Sequence, residues 1–376
     1  PLQQNLQYYR SKLGIVTQDD LVYTDLTVEE NLRMAAEIRL YGATDAEIQQ
    51  RVNYALEAVG LLEHRTKRVG VLSGGQRKRV SVAVELILQP RLLLLDEPTS
   101  GLDPGMQARL MEMLRGLSRK GVTIVCTTHT LDTLNFFDSV IVLGLKNRTA
   151  TVVYQGSPRE LLPAFDVPSQ ADLFDKLQEM AGETPAEREK HEADDPAAAT
   201  STTRTRRGAM PLAPPQLEQG WPRRLQQARV VFRRTALGLI RDKTATVMAL
   251  AQPPLLAILV TLSQSNQPKS INILFFTVIC AMWLGMTLTV REIVRERKLY
   301  IRDRLAGLHP DAYMIGKVAF AGCVVTAQTA LMWFVARVIG PEVITKTASD
   351  QLAETHMLLC FIALVLTAFG AAVTGL

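Results

Sequence analysis

At 376 residues the chain has room for two domains. Hydrophobic residues supply 47% of it and charged residues 21%, a mixture that predicts one soluble half and one membrane half. The formal charge of +5 is modest, and the basic residues cluster beside apolar spans rather than on an aromatic-rich face, which argues against nucleic acid as a partner. Cys126, Cys280, Cys323 and Cys360 show no close pairing, so neither a zinc site nor a disulfide framework is expected and all four read as reduced. The N-terminal residues do not form a signal peptide, and a start at Pro1 predicts a piece of a longer protein.

Gly14-Ile15-Val16 reads as a short apolar strand that delivers Thr17-Gln18-Asp19-Asp20. Thr27 is an N-cap with Glu30 at the capping-box position of a first helix, and Asp45 to Val59 forms a second. Leu61 to Val71 leads into Leu72-Ser73-Gly74-Gly75-Gln76, a glycine turn that opens a helix. Two glycines and the positive end of that helix suit an anion, and Arg77-Lys78-Arg79 adds positive charge. An ordinary start with Ser73 as N-cap is compatible with that use.

The run Leu92 to Leu95 is short, wholly apolar and stopped by Asp96-Glu97-Pro98. Its length favours a central parallel strand buried on both faces, whose carboxyl end is where ligand chemistry sits in such sheets. Asp96 is placed to hold Mg²⁺ through water, and Glu97 to polarise an attacking water, because phosphoryl transfer needs positioning and charge neutralisation. Taken alone, the two acids could simply end a strand at the surface. Ser100-Gly101-Leu102-Asp103 and a helix from Met106 to Lys120 follow. Val122 to Cys126 forms another strand, leading through Thr127-Thr128 to His129. Val140 to Leu143 and Thr151 to Tyr154 are late strands, and the alternation of strands and helices argues an α/β domain.

Ala181 to Gly220 is rich in Ala, Pro, Thr, Glu and Arg and has almost no aromatics, as expected of a disordered linker. Trp221 to Lys243 places Leu225, Ala228, Phe232, Ala236 and Leu239 on one helical face and arginines on the rest, which predicts a basic amphipathic helix at the membrane surface. Four apolar spans follow, at Ala245 to Leu262, Ile271 to Val290, Ala312 to Ile339 and Met357 to Leu376. Each is long enough to cross roughly 30 Å of hydrocarbon. Pro253-Pro254 predicts a kink in the first. Basic residues before span one and between spans two and three place the N-terminal domain and Arg291 to Arg304 in the cytoplasm. Within that loop Ile293, Arg297, Ile301 and Leu305 share a helical face.

Together these segments resemble an ATP-binding-cassette transporter. LSGGQ resembles its signature loop, LLLLDEP its Walker B strand and SGLD its D-loop. The order of cassette and then membrane domain, with Thr27-Val28-Glu29-Glu30-Asn31-Leu32 and Arg291-Glu292-Ile293-Val294-Arg295-Glu296-Arg297, is similar to the G subfamily (the white/pleiotropic-drug group) or a bacterial relative. The implied fold class is a partial α/β nucleotide-binding domain of P-loop NTPase type over residues 1–180, followed by an all-α transmembrane domain over 244–376, with 221–243 as the connecting helix. The resemblance implies ATP and Mg²⁺ as cofactors. It makes Gln18 the Q-loop sensor of Mg²⁺ and γ-phosphate, and Asp96 the metal carboxylate. Glu97 becomes the base and His129 the switch histidine. Ser73, Gly74, Gly75 and Gln76 become the loop that meets the partner's nucleotide, and Asp103 the acid linking the two sites. Arg291, Glu292, Arg295, Glu296 and Asp303 fall on the coupling helix, where the family often has Arg-Glu in place of Arg302-Asp303. The departure is the missing G-x-x-x-x-G-K-[ST] loop, without which the chain is expected to bind nucleotide poorly alone. The implied protein is a multi-pass half-transporter of the plasma or cell inner membrane, truncated at both ends. It would pair with a second half-transporter and export lipid-like or amphipathic molecules. The alternative is a membrane protein that binds ATP in a regulatory or degenerate role without transport.

Overall fold

The computed structural model describes residues 12–146, 149–169, 172–173, 175–177, 220–264, 279 and 296–339. The expected linker up to residue 219, nearly all of the second span, the fourth span, and Arg291, Glu292 and Arg295 lie outside the described residues. In chain order the main elements are β1 (Leu13–Val16), α1 (Val28–Arg39), α2 (Asp45–Ala58), α3 (Gly74–Leu86), β2 (Leu92–Leu95), α4 (Pro104–Arg119), β3 (Thr123–Cys126), β4 (Val140–Lys146), β5 (Thr149–Gly156), α5 (Trp221–Arg241), α6 (Lys243–Gln264) and α7 (Pro310–Ile339). Backbone contacts divide the chain into two compact units, residues 1–15, 19–90 and 216–376 in the first and residues 16–18 and 91–215 in the second.

In the first unit the helices start where their caps dictate. Thr27 with Glu30 closes the capping box of α1, and Thr44 with Glu47 does the same for α2. Leu32, Leu56, Val80 and Ile87 are fully buried in this unit. A second apolar cluster joins Leu26, Met34 and Ile38 to Val231 of α5 and to Leu308, Ala312 and Tyr313. The long helices α5 and α7 approach closely at Gly316, where an added Cβ would lie 2.6 Å from the Ala228 carbonyl oxygen. Helix α6 runs through Pro253 and Pro254. Among the described residues, Pro310–Met332 of α7 is long and apolar enough to cross a membrane, and Lys243–Leu259 of α6 is a shorter apolar stretch.

One expected face is corrected in this unit. On α5 the buried residues are Arg223, Gln227, Ala228, Val230, Val231, Arg234 and Thr235; of the expected face Ala228 is buried, Phe232, Ala236 and Leu239 are half-buried, and Leu225 is 56% exposed. Polar groups can take the inner stripe because partners meet them there. Gln227 donates to the Ile38 and Gly307 carbonyls and accepts the His309 amide, each at 3.0 Å. On the helical segment 296–305, Arg297, Ile301 and Leu305 share one face as expected and that face is outward, while Glu296 and Asp303 are buried. There too the inner side is ionic rather than apolar.

In the second unit β2 and β3 pair in parallel, Leu95 opposite Cys126, within a sheet of order β1-β2-β3 that Val16 enters at the end of β1. Leu93 and Leu95 are buried, but Leu92 and Leu94 are only half-buried. The expected burial on both faces is therefore not seen. Leu94 pairs with Val125, which is 52% exposed, so that face of the sheet stays open among the described residues. Helix α4 begins at Pro104 behind the Asp103 cap and buries Leu110, Met111, Leu114 and Leu117 at helical spacing. Strands β4 and β5 form an antiparallel hairpin, beside a small cluster of Leu134, Leu161 and Leu173.

Candidate functional site

The carboxyl ends of the strands in the second unit bring four expected residues together. The Asp96 amide donates to the Val16 carbonyl at 2.8 Å, and the Thr127 amide donates to the Leu95 carbonyl at 3.0 Å. These two bonds extend the ladders by one step past each strand. They set Gln18, Asp96-Glu97 and Thr127 to His129 along one edge. Gln18 Nε2 donates to Glu97 Oε2 at 3.1 Å, and His129 Nδ1 lies 3.2 Å from Glu97 Oε1. Each oxygen of Glu97 thus has its own nitrogen partner, which fixes the carboxylate plane.

Thr127 is the residue that sequence reasoning passed over. Its hydroxyl donates to Asp96 Oδ1 at 2.6 Å and accepts the Glu97 amide at 3.0 Å. One side chain thereby orients both acids. Its signal in the sequence was only its place, the first polar residue after β3. Glu97 has φ +41°, the left-handed region that a non-glycine residue adopts at a cost of about 1–3 kcal/mol. The turn continues with the Ser100 amide donating to the Glu97 carbonyl at 3.1 Å, and with Gly101 at φ +71°. Asp103 accepts the Met106 amide at 2.9 Å as the cap of α4.

The chemistry of these groups fits a hydrated magnesium ion. Thr127 holds one oxygen of Asp96, which leaves Oδ2 as the hard ligand for a cation. Among the described residues no group of three or more His, Cys, Asp or Glu could hold a metal by itself. Magnesium is commonly bound by one or two carboxylates with water and phosphate oxygens completing the shell.

The glycine loop belongs to the first unit, and its helix α3 is capped as a box. Ser73 Oγ accepts the Gln76 amide at 3.4 Å, and Gln76 Oε1 accepts the Ser73 amide at 3.0 Å. Gln76 Nε2 meets His64 Nε2 at 2.7 Å, so the glutamine amide is anchored at both ends. Gly75 is buried and Gly74 half-buried. The Arg77-Lys78-Arg79 run is not a free cluster of charge. Lys78 is buried and lies 3.1 Å from Asp20 Oδ1, and Arg77 donates to the Leu72 carbonyl at 2.9 Å.

Of the five coupling residues, Glu296 and Asp303 are described, and both sit in a buried ionic network of the first unit. Arg234 of α5 donates to Asp303 Oδ2 at 2.7 Å, and Tyr23 donates to the same oxygen at 3.1 Å. Arg302 donates to Asp303 Oδ1 at 2.6 Å and also to the Leu21 carbonyl. The Arg234 guanidinium stacks 4.2 Å from the Tyr23 ring centroid. Glu296 Oε2 lies 2.9 Å from Lys317 Nζ of α7 and 3.9 Å from Arg234. Burial pushes the Asp303 carboxyl up, but the Arg302 and Arg234 guanidiniums outweigh it and hold it at about 2. Burial beside Asp303 and Glu296 pushes the Tyr23 phenol well up. Nearby, Arg241 donates to Glu30 at 2.8 Å and, with the Thr27 amide, holds that carboxyl at about 2. Tyr23 and Lys317 were not singled out from the sequence, and Arg234 was read only as one of the arginines on the polar face of its helix. A polar residue recurring within the inner stripe of α5 was the available signal.

The class these features define is a nucleotide-binding cassette segment followed by a helical membrane domain. A family model described as "ABC transporter" matches residues 1–100, and one described as "ABC-2 type transporter" matches residues 226–376. A third, an AAA domain, matches residues 68–134. The chain thus carries both an ABC transporter segment and an ABC-2 membrane segment, and its domain order and relatives fit a G-type-like half-transporter. It is 33% identical over 347 residues, 86% of this chain and 38% of the relative, to ABC transporter ATP-binding/permease protein Rv1747 of Mycobacterium tuberculosis. It is 39% identical to ABC transporter G family member 22 of Arabidopsis thaliana over 42% of this chain and 22% of that one. It is 36% identical to Broad substrate specificity ATP-binding cassette transporter ABCG2 of Sus scrofa over 42% of this chain and 24% of that one. The chain thus spans less than two fifths of the length of each of these relatives.

Proposed function

We propose that the chain is part of an ATP-driven half-transporter that works as a dimer and moves lipid-like or amphipathic molecules out of the cytoplasmic leaflet. The observation that carries this reading is the convergence of Gln18, Asp96, Glu97 and His129 on one sheet edge, in a chain that continues into apolar helices. Asp96 Oδ2 would hold Mg²⁺, which would supply neutralisation of the charge developing on the transferred phosphate. Glu97, its plane fixed by Gln18 and His129, would accept the proton of the attacking water. His129, released from Glu97, has a nitrogen to offer a phosphate oxygen, and Gln18 an amide to sense the same change. Ser73 to Gln76 would present backbone N–H groups to nucleotide held by a second cassette, and Asp103 would be the acid that links the two sites.

On this reading the cassette is cytoplasmic and the apolar helices are spans of a multi-pass protein in the plasma or cell inner membrane. The segment 296–305, with Arg291, Glu292 and Arg295 before it, would pass closure of the cassettes to the spans. ATP shifts the population because it binds the closed state better than the open one. Substrate class and direction rest on likeness to transporters whose names include Broad substrate specificity ATP-binding cassette transporter ABCG2.

The test is uptake into inside-out vesicles carrying the complete protein, with a fluorescent single-chain lipid as probe. ATP-dependent accumulation that Asp96→Asn abolishes supports export. ATP binding with no nucleotide-dependent movement of any amphipathic probe would favour the regulatory alternative.

A further inference from the structure

The glycine loop is tied down from outside its own helix, by a residue with no part in the expected site. His64 ends the short turn Leu62–His64 and is half-buried. The chain around it is held by bonds that do not involve α3. The Lys67 amide donates to the His64 carbonyl, and the Val28 amide to the Lys67 carbonyl, each at 3.0 Å. The Glu29 amide donates to the Arg65 carbonyl at 3.0 Å, and Arg65 Nε donates back to the Glu29 carboxylate at 3.2 Å. The Val69 and Gly70 amides donate to the Leu26 and Thr24 carbonyls, each at 2.9 Å. His64 is therefore a fixed post beside the start of α1, from which its ring reaches the first turn of α3.

The donors and acceptors at that meeting can be assigned. Gln76 Oε1 accepts the Ser73 amide at 3.0 Å, so Gln76 Nε2 is the end that meets His64 Nε2 at 2.7 Å. An amide nitrogen only donates, so His64 Nε2 accepts. The imidazole is then neutral, with its proton on Nδ1. That atom is buried and has no hydrogen-bond partner among the described residues. An unpaired buried N–H costs free energy, so it is the Gln76 bond, and nothing behind the ring, that selects this tautomer. The amide of a glutamine turns on a broad, two-fold torsion. Its wrong face would set NH2 against the Ser73 N–H and open the capping box. An acceptor at His64 selects the right face. With the box closed, the Ser73 and Gln76 amides are both taken. The amides of Gly74 and Gly75 are then the first-turn donors left for an anion.

We propose that His64 is a positioning residue for ATP turnover: by accepting from Gln76 it keeps the glycine loop in the form that meets nucleotide on a second cassette. His64 itself touches no nucleotide and acts through Gln76. The inference rests on the use of Ser73 to Gln76 given in the proposed function.

The experiment measures ATP turnover by the complete protein in lipid nanodiscs, as kcat and as the ATP concentration for half-maximal rate. Gln76→Ala tests the loop, and His64→Ala tests the post. Each should raise the half-maximal ATP concentration about threefold to tenfold, the range that one net hydrogen bond commands. The change should fall there rather than on kcat, because the loop would bind ground-state and transition-state nucleotide alike. His64→Gln keeps an acceptor and should bring the value back to within about twofold of the unsubstituted protein. His64→Lys offers only donors and should do no better than His64→Ala. Combined with Gln76→Glu it reverses the direction of the bond, since a carboxylate accepts from both the ammonium and the Ser73 amide, and this pair should restore the value. An unchanged half-maximal concentration for His64→Ala, with Gln76→Ala shifted, would overturn the proposal and leave the loop reading standing. No shift from Gln76→Ala would overturn the loop reading and the proposal with it. A shift from His64→Ala that neither His64→Gln nor the double variant repairs would make His64 a packing residue only and overturn the proposal.

Discussion

Asp303→Asn should destabilise the first unit more than Arg234→Met, although Arg234 is the larger side chain and both are buried. The reason is a charge count within one network. Arg234, Arg302 and Lys317 are three cations, and Asp303 and Glu296 are two acids. Removing Arg234 leaves two of each, with Asp303 still 2.6 Å from Arg302 and Glu296 still 2.9 Å from Lys317. Methionine fills much of the vacated volume. What is lost is one hydrogen bond to Asp303 and the stacking on Tyr23, about 1–3 kcal/mol together. Removing the charge of Asp303 leaves three cations facing one acid. Breaking a buried pair that way costs about 3–5 kcal/mol, because an uncompensated charge remains inside. The assay is thermal unfolding of the complete protein in detergent, for each variant and for the double variant. Asp303→Asn should show the lower midpoint, and adding Arg234→Met to it should recover part of the loss. A larger loss from Arg234→Met, or strictly additive losses, would refute the charge count.

Other outcomes follow from single contacts. Gly316→Ala puts a methyl group 2.6 Å from the Ala228 carbonyl oxygen and 2.8 Å from Val231 Cβ, so α5 and α7 must separate. The expected loss is about 1–3 kcal/mol by chemical denaturation, and an unchanged midpoint would show that the helices do not meet there. Thr127→Val removes the hydroxyl shared by Asp96 and Glu97, and should raise the Mg²⁺ concentration needed for half-maximal ATP turnover without changing the unfolding midpoint by more than about 1 kcal/mol. Acid unfolding should follow Glu30 and Asp303. Their folded carboxyls are held below the ordinary values of 4.5 and 3.8, at about 2 each. Their stabilisation is therefore full above pH 4.5 and is lost as pH falls towards 2. Glu30→Gln should flatten the pH dependence in that window, and an unaltered acid limb would contradict the Arg241 pairing.

The order of elements in the cassette half was legible because its signals are local. Capping at Thr27 and Ser73 needs only residues three apart, and the apolar run before Asp96 needs only its own length. Gln18 and His129 joined Glu97 in one site only through the resemblance to the cassette family, and the shared edge of the strand ends is the physical reason that they meet. The buried faces of α5 and of the segment 296–305 were not legible. Apolar periodicity ranks arginine as a surface residue, and only the fold supplies the Asp303 and Tyr23 that make Arg234 an inner one. The same limit explains why Lys78 read as a free positive charge until Asp20 was found beside it. The strain at Glu97 left no mark in the sequence, since φ +41° is imposed by the turn and by Thr127 rather than by residue type.

The central claim is that Glu97 is the base of an ATP-hydrolysing centre, oriented by Gln18 and His129. The direct measurement is steady-state ATP turnover and equilibrium nucleotide binding by the complete protein carrying Glu97→Gln. The account predicts a turnover loss of roughly 10²–10⁴-fold, the scale of a lost general base, with nucleotide binding retained. Turnover near that of the unsubstituted protein would remove Glu97 from this role, and the convergence of side chains on it would then need another explanation.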